Sequence, residues 1–151
     1  MRRITSKLSA LAAVALLAFT TTSAARADDQ GNATHVEVAP AYFKMQDIRH
    51  DSFVIKLTDP VRIADAREIV RSGSRKIVIG RIVKSRADYN AQWSYHYNPD
   101  SVTFADAAME VCDSTISFTE GHLDQAGGGP FLPGLYWCPW TGRLTEEVAG
   151  R

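Results

Sequence analysis

Residues 52–73 read SFVIKLTDPVRIADAREIVRSG, and the fold turns on how that stretch changes its period. Phe53, Ile55 and Leu57 alternate with Val54 and Lys56, the two-residue repeat of a half-buried strand. At Thr58-Asp59-Pro60 the alternation stops. Asp59 suits a helix N-cap, and Pro60 suits the first helical position, where a missing N–H costs nothing. Ile63, Ala66, Ile69 and Val70 then recur at helical spacing, with Arg62, Asp65 and Glu68 turned away. Gly73 supplies the stop. The spacing therefore predicts a strand over 52–57 running into an amphipathic helix over 60–72.

Upstream, Tyr42 to Ile48 alternates as a second strand, with Arg49-His50-Asp51 as the hairpin turn. Downstream, Lys76 to Lys84 is apolar on both faces, which predicts a central strand; Gly80 in its middle predicts a bulge or a close approach by another element. Ser85 to Gln92 is a polar loop. In Trp93-Ser94-Tyr95-His96-Tyr97 the rings share one face and Ser94 and His96 the other. Asn98 to Ser101 carries turn chemistry. Val102 to Cys112 reads as a strand whose inward parity changes from Val102 and Phe104 to Ala107, Met109 and Val111, through a bulge or helical turn near Ala105-Asp106. Asp113-Ser114 would cap a second helix reaching about Gln125, weakened at Gly121. Leu135 to Trp140, interrupted by Pro139, suits an edge strand, and Arg143 to Val148 a strand or a fraying turn. The expected fold is a single small α+β domain over 41–148: a mostly antiparallel sheet with two helices packed on it.

The N-terminus is of another kind. Arg2, Arg3 and Lys7 precede an apolar run from Leu8 to Phe19, and Ala25-Arg26-Ala27 closes the segment. A basic start, an apolar stretch too short to span a bilayer and an A-x-A site describe a signal peptide over 1–27. Residues 28–40 are polar and aperiodic, and read as a flexible arm. Cleavage would give a secreted or periplasmic chain with no membrane attachment. It would also change the charge. Four basic residues leave with the leader, so thirteen remain against seventeen acids, a net charge of −4 before histidine. A mildly acidic domain lacks the basic stripe that nucleic-acid binding needs.

An exported chain with two cysteines favours a Cys112–Cys138 disulfide over two buried thiols that never meet. No ligand pair has zinc spacing, and phosphate-loop, dinucleotide and EF-hand patterns are absent, so neither metal nor cofactor is expected. His96 near Asp100 or Glu110 could form an acid–base pair, the basis of a small His-dependent hydrolase. The plainer reading, a strand histidine bonded to a neighbour, is favoured because no nucleophile or metal ligand accompanies it. Aromatics crowd the second half of the chain. Trp93 and one of Tyr136, Trp137 and Trp140 are assigned to the core, and the others to an exposed patch.

Several blocks recur as a set: Phe53 to Pro60, Gly80 to Lys84, Tyr89-Asn90, Trp93 to His96, Glu110 to Asp113, Phe131 to Gly134 and Trp137 to Trp140. In this order they resemble the domain at the N-terminus of a slime-mould calmodulin-binding protein, found also in small exported bacterial proteins. The resemblance runs from Tyr42 to Val148. It implies one compact domain with a shared Cys112–Cys138 pair, and it brings calmodulin in as a partner. Calmodulin grips basic amphipathic helices. Pro60 to Ser72 has Arg62, Arg67 and Arg71, but its apolar face is expected to lie on the sheet. The function expected first is therefore a non-catalytic binding module, in one form an inhibitor of an extracellular hydrolase. It would take an extracellular protein, peptide or glycan through Lys84, Arg86, Tyr89 and Asn90, with Tyr136 and Trp140 as further contacts.

Overall fold

In a computed structural model, which describes residues 38–150, the change of period at Thr58 is a change of element. Strand β1 (Ala41–Gln46) and strand β2 (Ser52–Leu57) form an antiparallel hairpin, and helix α1 (Pro60–Ser72) follows directly. The Asp59 carboxylate accepts from the N–H groups of Val61 and Arg62 at 2.8 and 2.9 Å. At the other end Gly73 sits at φ 66°, the left-handed conformation that glycine adopts without steric cost, and Ser74 N–H reaches back to Ile69 O. Ile63, Ala66 and Ile69 are buried, as their spacing predicts.

The first sheet has the order β2-β1-β7, completed by strand β7 (Arg143–Val148) antiparallel to β1. The second is built around strand β3 (Ile77–Val83), which pairs antiparallel with β4 (His96–Tyr97), β5 (Thr103–Ala105) and β6 (Tyr136–Trp137). Gly80 marks a close approach: a Cβ there would stand 2.9 Å from the Tyr97 ring. Phe43, Met45, Phe53, Ile55 and Leu57 from the first sheet meet Val78, Ile82, Tyr95, Tyr97 and Trp137 in one core. Phe53 and Trp137 are its hub, with ring centroids 5.2 Å apart, and Tyr97 stacks on Trp137 at 4.9 Å. Tyr95 and Tyr97 are fully buried, so they belong to the core and not to an exposed aromatic patch; Trp93 is only partly covered.

The C-terminal third departs from the expected strands. Regular pairing ends at Ala105, and the chain reaches the disulfide through a single 3-10 turn (Glu110–Cys112). Met109 and Val111, expected to face inward, are 73% and 53% exposed. Helix α2 (Ile116–Gly121) is one turn and a half. It stops at Gly121 rather than near Gln125, and its N-cap is Thr115. Asp113 and Ser114 do other work: the Asp113 carboxylate accepts Trp140 N–H at 2.8 Å, and Ser114 O accepts Trp137 Nε1–H at 3.0 Å. Cys112 and Cys138 are joined, their Cα atoms 5.2 Å apart.

Asp47 ties this irregular region to the hairpin. Its carboxylate is buried and accepts three backbone N–H groups: those of Arg49 and Asp51 in the turn, and that of Ile116 at the start of α2, at 2.9, 3.2 and 2.9 Å. The expected single antiparallel α+β domain with two helices and one disulfide is thus present, as two sheets rather than one. The described residues fall in one compact unit. The leader expected over 1–27 and the expected arm up to residue 37 lie outside the described residues.

Candidate binding groove

Strand β2 lies at the edge of its sheet, so one side of its backbone has no strand partner. Unpaired N–H and C=O groups there would be an adhesive edge. The segment after β3 covers them with side chains. It passes through a 3-10 turn (Asp88–Asn90), which aims Asn90 inward. Asn90 Oδ1 accepts Val54 N–H at 3.0 Å, and Asn90 Nδ2 donates to Tyr95 O at 3.3 Å. Trp93 Nε1–H donates to Ser52 O at 2.7 Å, and the Gln92 amide donates to the same oxygen. One buried amide and one indole thus do what a neighbouring strand would do, and they fix the loop to the sheet.

A groove of about 720 Å³ opens where this loop meets the outer face of the first sheet. Residues Asp88 to Gln92 form its wall. Its floor includes Lys44, Ser52, Val54 and Val148. The pleat explains that floor. Phe43, Met45, Phe53 and Ile55 point into the core, so Lys44 and Val54, which face each other across the β1–β2 ladder, must point out. Tyr89 stands beside the groove with its ring 5.4 Å from that of Tyr42. Burial first, and then Tyr42, push the Tyr89 phenol up to about 12, so at neutral pH it keeps its proton. Lys44 pairs with Glu146 at 3.1 Å, but both groups are well exposed and such a pair is readily exchanged for a ligand. The volume lies in the range that holds a small molecule or a few residues of a polymer. The lining offers an ammonium, a carboxylate at Asp88, a phenol and apolar Val54 and Val148.

Two of the candidates read from sequence, Tyr89 and Asn90, line this groove, although the Asn90 amide is engaged with the backbone. Lys84 and Arg86 are exposed on the bend that leads into it. Tyr136 and Trp140 lie elsewhere. Tyr136 stands 5.8 Å from the Arg81 guanidinium, and Trp140 follows the disulfide. The suggested acid–base pair is not assembled. His96 Nδ1 meets Ser85 O at 2.7 Å; a carbonyl only accepts, so that nitrogen carries the proton. Asp100 accepts from Thr58 Oγ1, Glu110 sits in the exposed 3-10 turn, and none of the three lines the groove. Among the described residues no group of three or more His, Cys, Asp or Glu could hold a metal ion, and no helix is long and apolar enough to cross a membrane.

Sequence reasoning misses Lys44, Ser52, Val54 and Val148. The alternation in β1 and β2 is enough to turn Lys44 and Val54 outward. Nothing in the pattern says that a loop thirty-six residues on, through Asn90, folds over them.

What the fold and groove define is a small disulfide-linked α+β domain with a loop clamped to a sheet edge. The family model for the BP-74 N-terminal domain matches residues 39–151, and the chain belongs to that family. This agrees with the resemblance to the N-terminal domain of the calmodulin-binding protein. No curated protein and no solved structure matches the chain.

Proposed function

We propose that this chain is exported and acts as a non-catalytic binding module, with the groove between the Asp88–Gln92 wall and the outer face of β1 and β2 as its ligand-facing surface. One observation carries the reading: the loop is bolted to β2 through Asn90 and Trp93, while Lys44, Asp88 and the Tyr89 ring remain available at the opening. A surface held in place before the ligand arrives loses little entropy on binding. Its ligand is an extracellular protein, peptide or glycan. The leader pattern and the joined cysteines support an oxidising compartment outside the cytoplasm. The exposed Lys84 and Arg86 support the inhibitor form of the proposal, in which the bend enters the cleft of a protease that prefers basic residues.

The alternatives draw less support. A His96-dependent hydrolase needs an acid that the structure does not bring to His96. Calmodulin-type binding through α1 would require Ile63, Ala66 and Ile69 to leave the core.

Peptide and glycan arrays probed with the oxidised mature domain test the groove. A ligand retained by the wild type and lost by both Lys44→Ala and Tyr89→Ala is the expected result. A ligand held equally by all three proteins would move the site elsewhere. Titration against trypsin-like and subtilisin-like proteases tests the inhibitor form, which fails if a stoichiometric excess leaves them fully active.

A further inference from the structure

The register of β3 assigns a face that the core does not use. Val78, Gly80 and Ile82 are buried, so Ile79, Arg81 and Val83, which alternate with them, stand on the outer side. Residues directly opposite one another in a ladder share a face. Tyr136 is opposite Arg81, and His96 is opposite Val83. Both belong to the outer side, since their neighbours Trp137 and Tyr97 are in the core. The end of this face at Ile79 is packed against Ile77 and the two cysteines. The other end is bare: Val83 and Tyr136 are 39% and 47% exposed, and Arg81, next to each, is exposed as well.

Arg81 is held there without a counter-ion. Its guanidinium carbon lies 5.8 Å from the centre of the Tyr136 ring. Its backbone is fixed: Arg81 N–H donates to Ser101 Oγ at 2.9 Å, and Arg81 O accepts Asn98 N–H at 2.8 Å. Lys44, Arg62, Arg67, Arg71 and Lys76 each have a carboxylate partner. Among the described residues Arg81 has none, and neither have Lys84 and Arg86 on the bend that follows. The acids on the segments beside this face are turned elsewhere. Asp88 lines the groove, Asp100 accepts from Thr58 Oγ1, and Glu120 accepts Ser94 N–H. A guanidinium lying over an aromatic ring keeps its N–H edge for a planar carboxylate, which it holds by two bonds. The same arrangement covers a ring face on which a sugar would stack, and Val83 beside it offers an apolar contact.

We propose that this outer face of the second sheet is a second docking surface, and that its partner is an acidic peptide segment. Arg81 takes an aspartate or glutamate side chain of the segment, and Val83 and Tyr136 take an apolar side chain beside it. Lys84 and Arg86 add attraction at the rim. None of these residues lines the groove, so the two surfaces can be tested apart.

The test is fluorescence anisotropy of the oxidised mature domain with three labelled peptides, capped at both ends. One is built of Glu and Leu in a Ser background; the second replaces Glu by Gln; the third replaces Leu by Ser. The Glu–Leu peptide is expected to bind at least about tenfold more tightly than either control. Arg81→Gln is expected to remove about tenfold of that affinity, and Val83→Ser a smaller part. Arg62→Gln, which takes an equal charge from α1, is expected to leave it unchanged. All three substitutions fall on exposed side chains, and an intact disulfide and unchanged circular dichroism establish that the variants are folded. Equal affinity for the Glu–Leu and Gln–Leu peptides, or for wild type and Arg81→Gln, would overturn the proposal. So would an equal loss in Arg62→Gln, since the attraction would then be to the charge of the whole domain. A polyuronate oligosaccharide that binds as tightly and displaces the peptide would also overturn it, as a site for acidic glycans.

Discussion

The hairpin with α1 and the segment from Ser85 to Gly142 are stabilised in different ways. In the first, the backbone supplies most of the bonding. Six residue pairs join β1 to β2, and thirteen residues of helix follow, so between its ends each element bonds through its own backbone. In the second, strands of two or three residues and isolated 3-10 turns leave many backbone groups without a ladder. Side chains take over: Asp47 for Ile116, Asn90 for Val54, Asp113 for Trp140, Trp137 for Ser114, and the disulfide across the whole. The wall of the candidate groove, Asp88 to Gln92, lies in the second region. Irregular backbone can aim groups that a pleat cannot, but it depends on individual residues to do so.

That contrast predicts an order of effects. Asp47→Ala leaves three N–H groups without acceptors, two of them in the hairpin turn and one buried at α2. It should cost about 3–5 kcal/mol in urea unfolding, with Asp47→Asn costing less because one acceptor oxygen remains. Joint replacement of Cys112 and Cys138 by serine should cost about 3 kcal/mol, measured in the same way. Asn90→Ala leaves the Val54 N–H unpaired and should cost about 1–3 kcal/mol, while also abolishing groove binding on the arrays. The regular region supplies the control: Asp59→Ala removes a helix cap and should cost only about 1 kcal/mol. If Asp59→Ala proves as damaging as Asp47→Ala, the distinction between the two regions is wrong.

Alkaline pH sharpens the same comparison at smaller scale. Burial raises the phenols of Tyr89, Tyr95 and Tyr97 above their ordinary value of 10.0, Tyr89 to about 12 and the two core tyrosines well above 10.0. Below that ordinary value all three are neutral in both states and their contribution to stability is complete. As pH rises from about 10 toward about 12, the unfolded chain ionises first and stability falls. The urea midpoint should therefore drop across that interval, and Tyr89→Phe should flatten part of the drop.

The two regions also differ in how far the sequence discloses them. β2 and α1 follow from periodicity because each element buries one face, and the repeat of the burying residues is the repeat of the element. Tyr95 and Tyr97 keep their shared face although only His96 and Tyr97 lie in a strand. The pairing of Cys112 with Cys138 follows from the count of two cysteines and the expectation of export. Ala107, Met109 and Val111 mislead because alternation marks a strand only when its apolar side is buried, and here Met109 and Val111 are exposed. Asp47 looks like an ordinary strand-end residue, since its most distant partner is sixty-nine positions away and is a backbone N–H, which no side-chain pattern records. The groove is half legible: Tyr89 and Asn90 can be singled out, but the floor they face requires the fold.

Native-state amide hydrogen exchange on the oxidised domain tests most directly the claim that side chains hold the irregular region as firmly as the ladder holds the hairpin. The amides of Val54, Ile116 and Trp140, each bonded to a side-chain oxygen, should be protected nearly as well as those paired between β1 and β2. Exchange at these three positions as fast as in the exposed bend at Ser85 and Arg86 would contradict it.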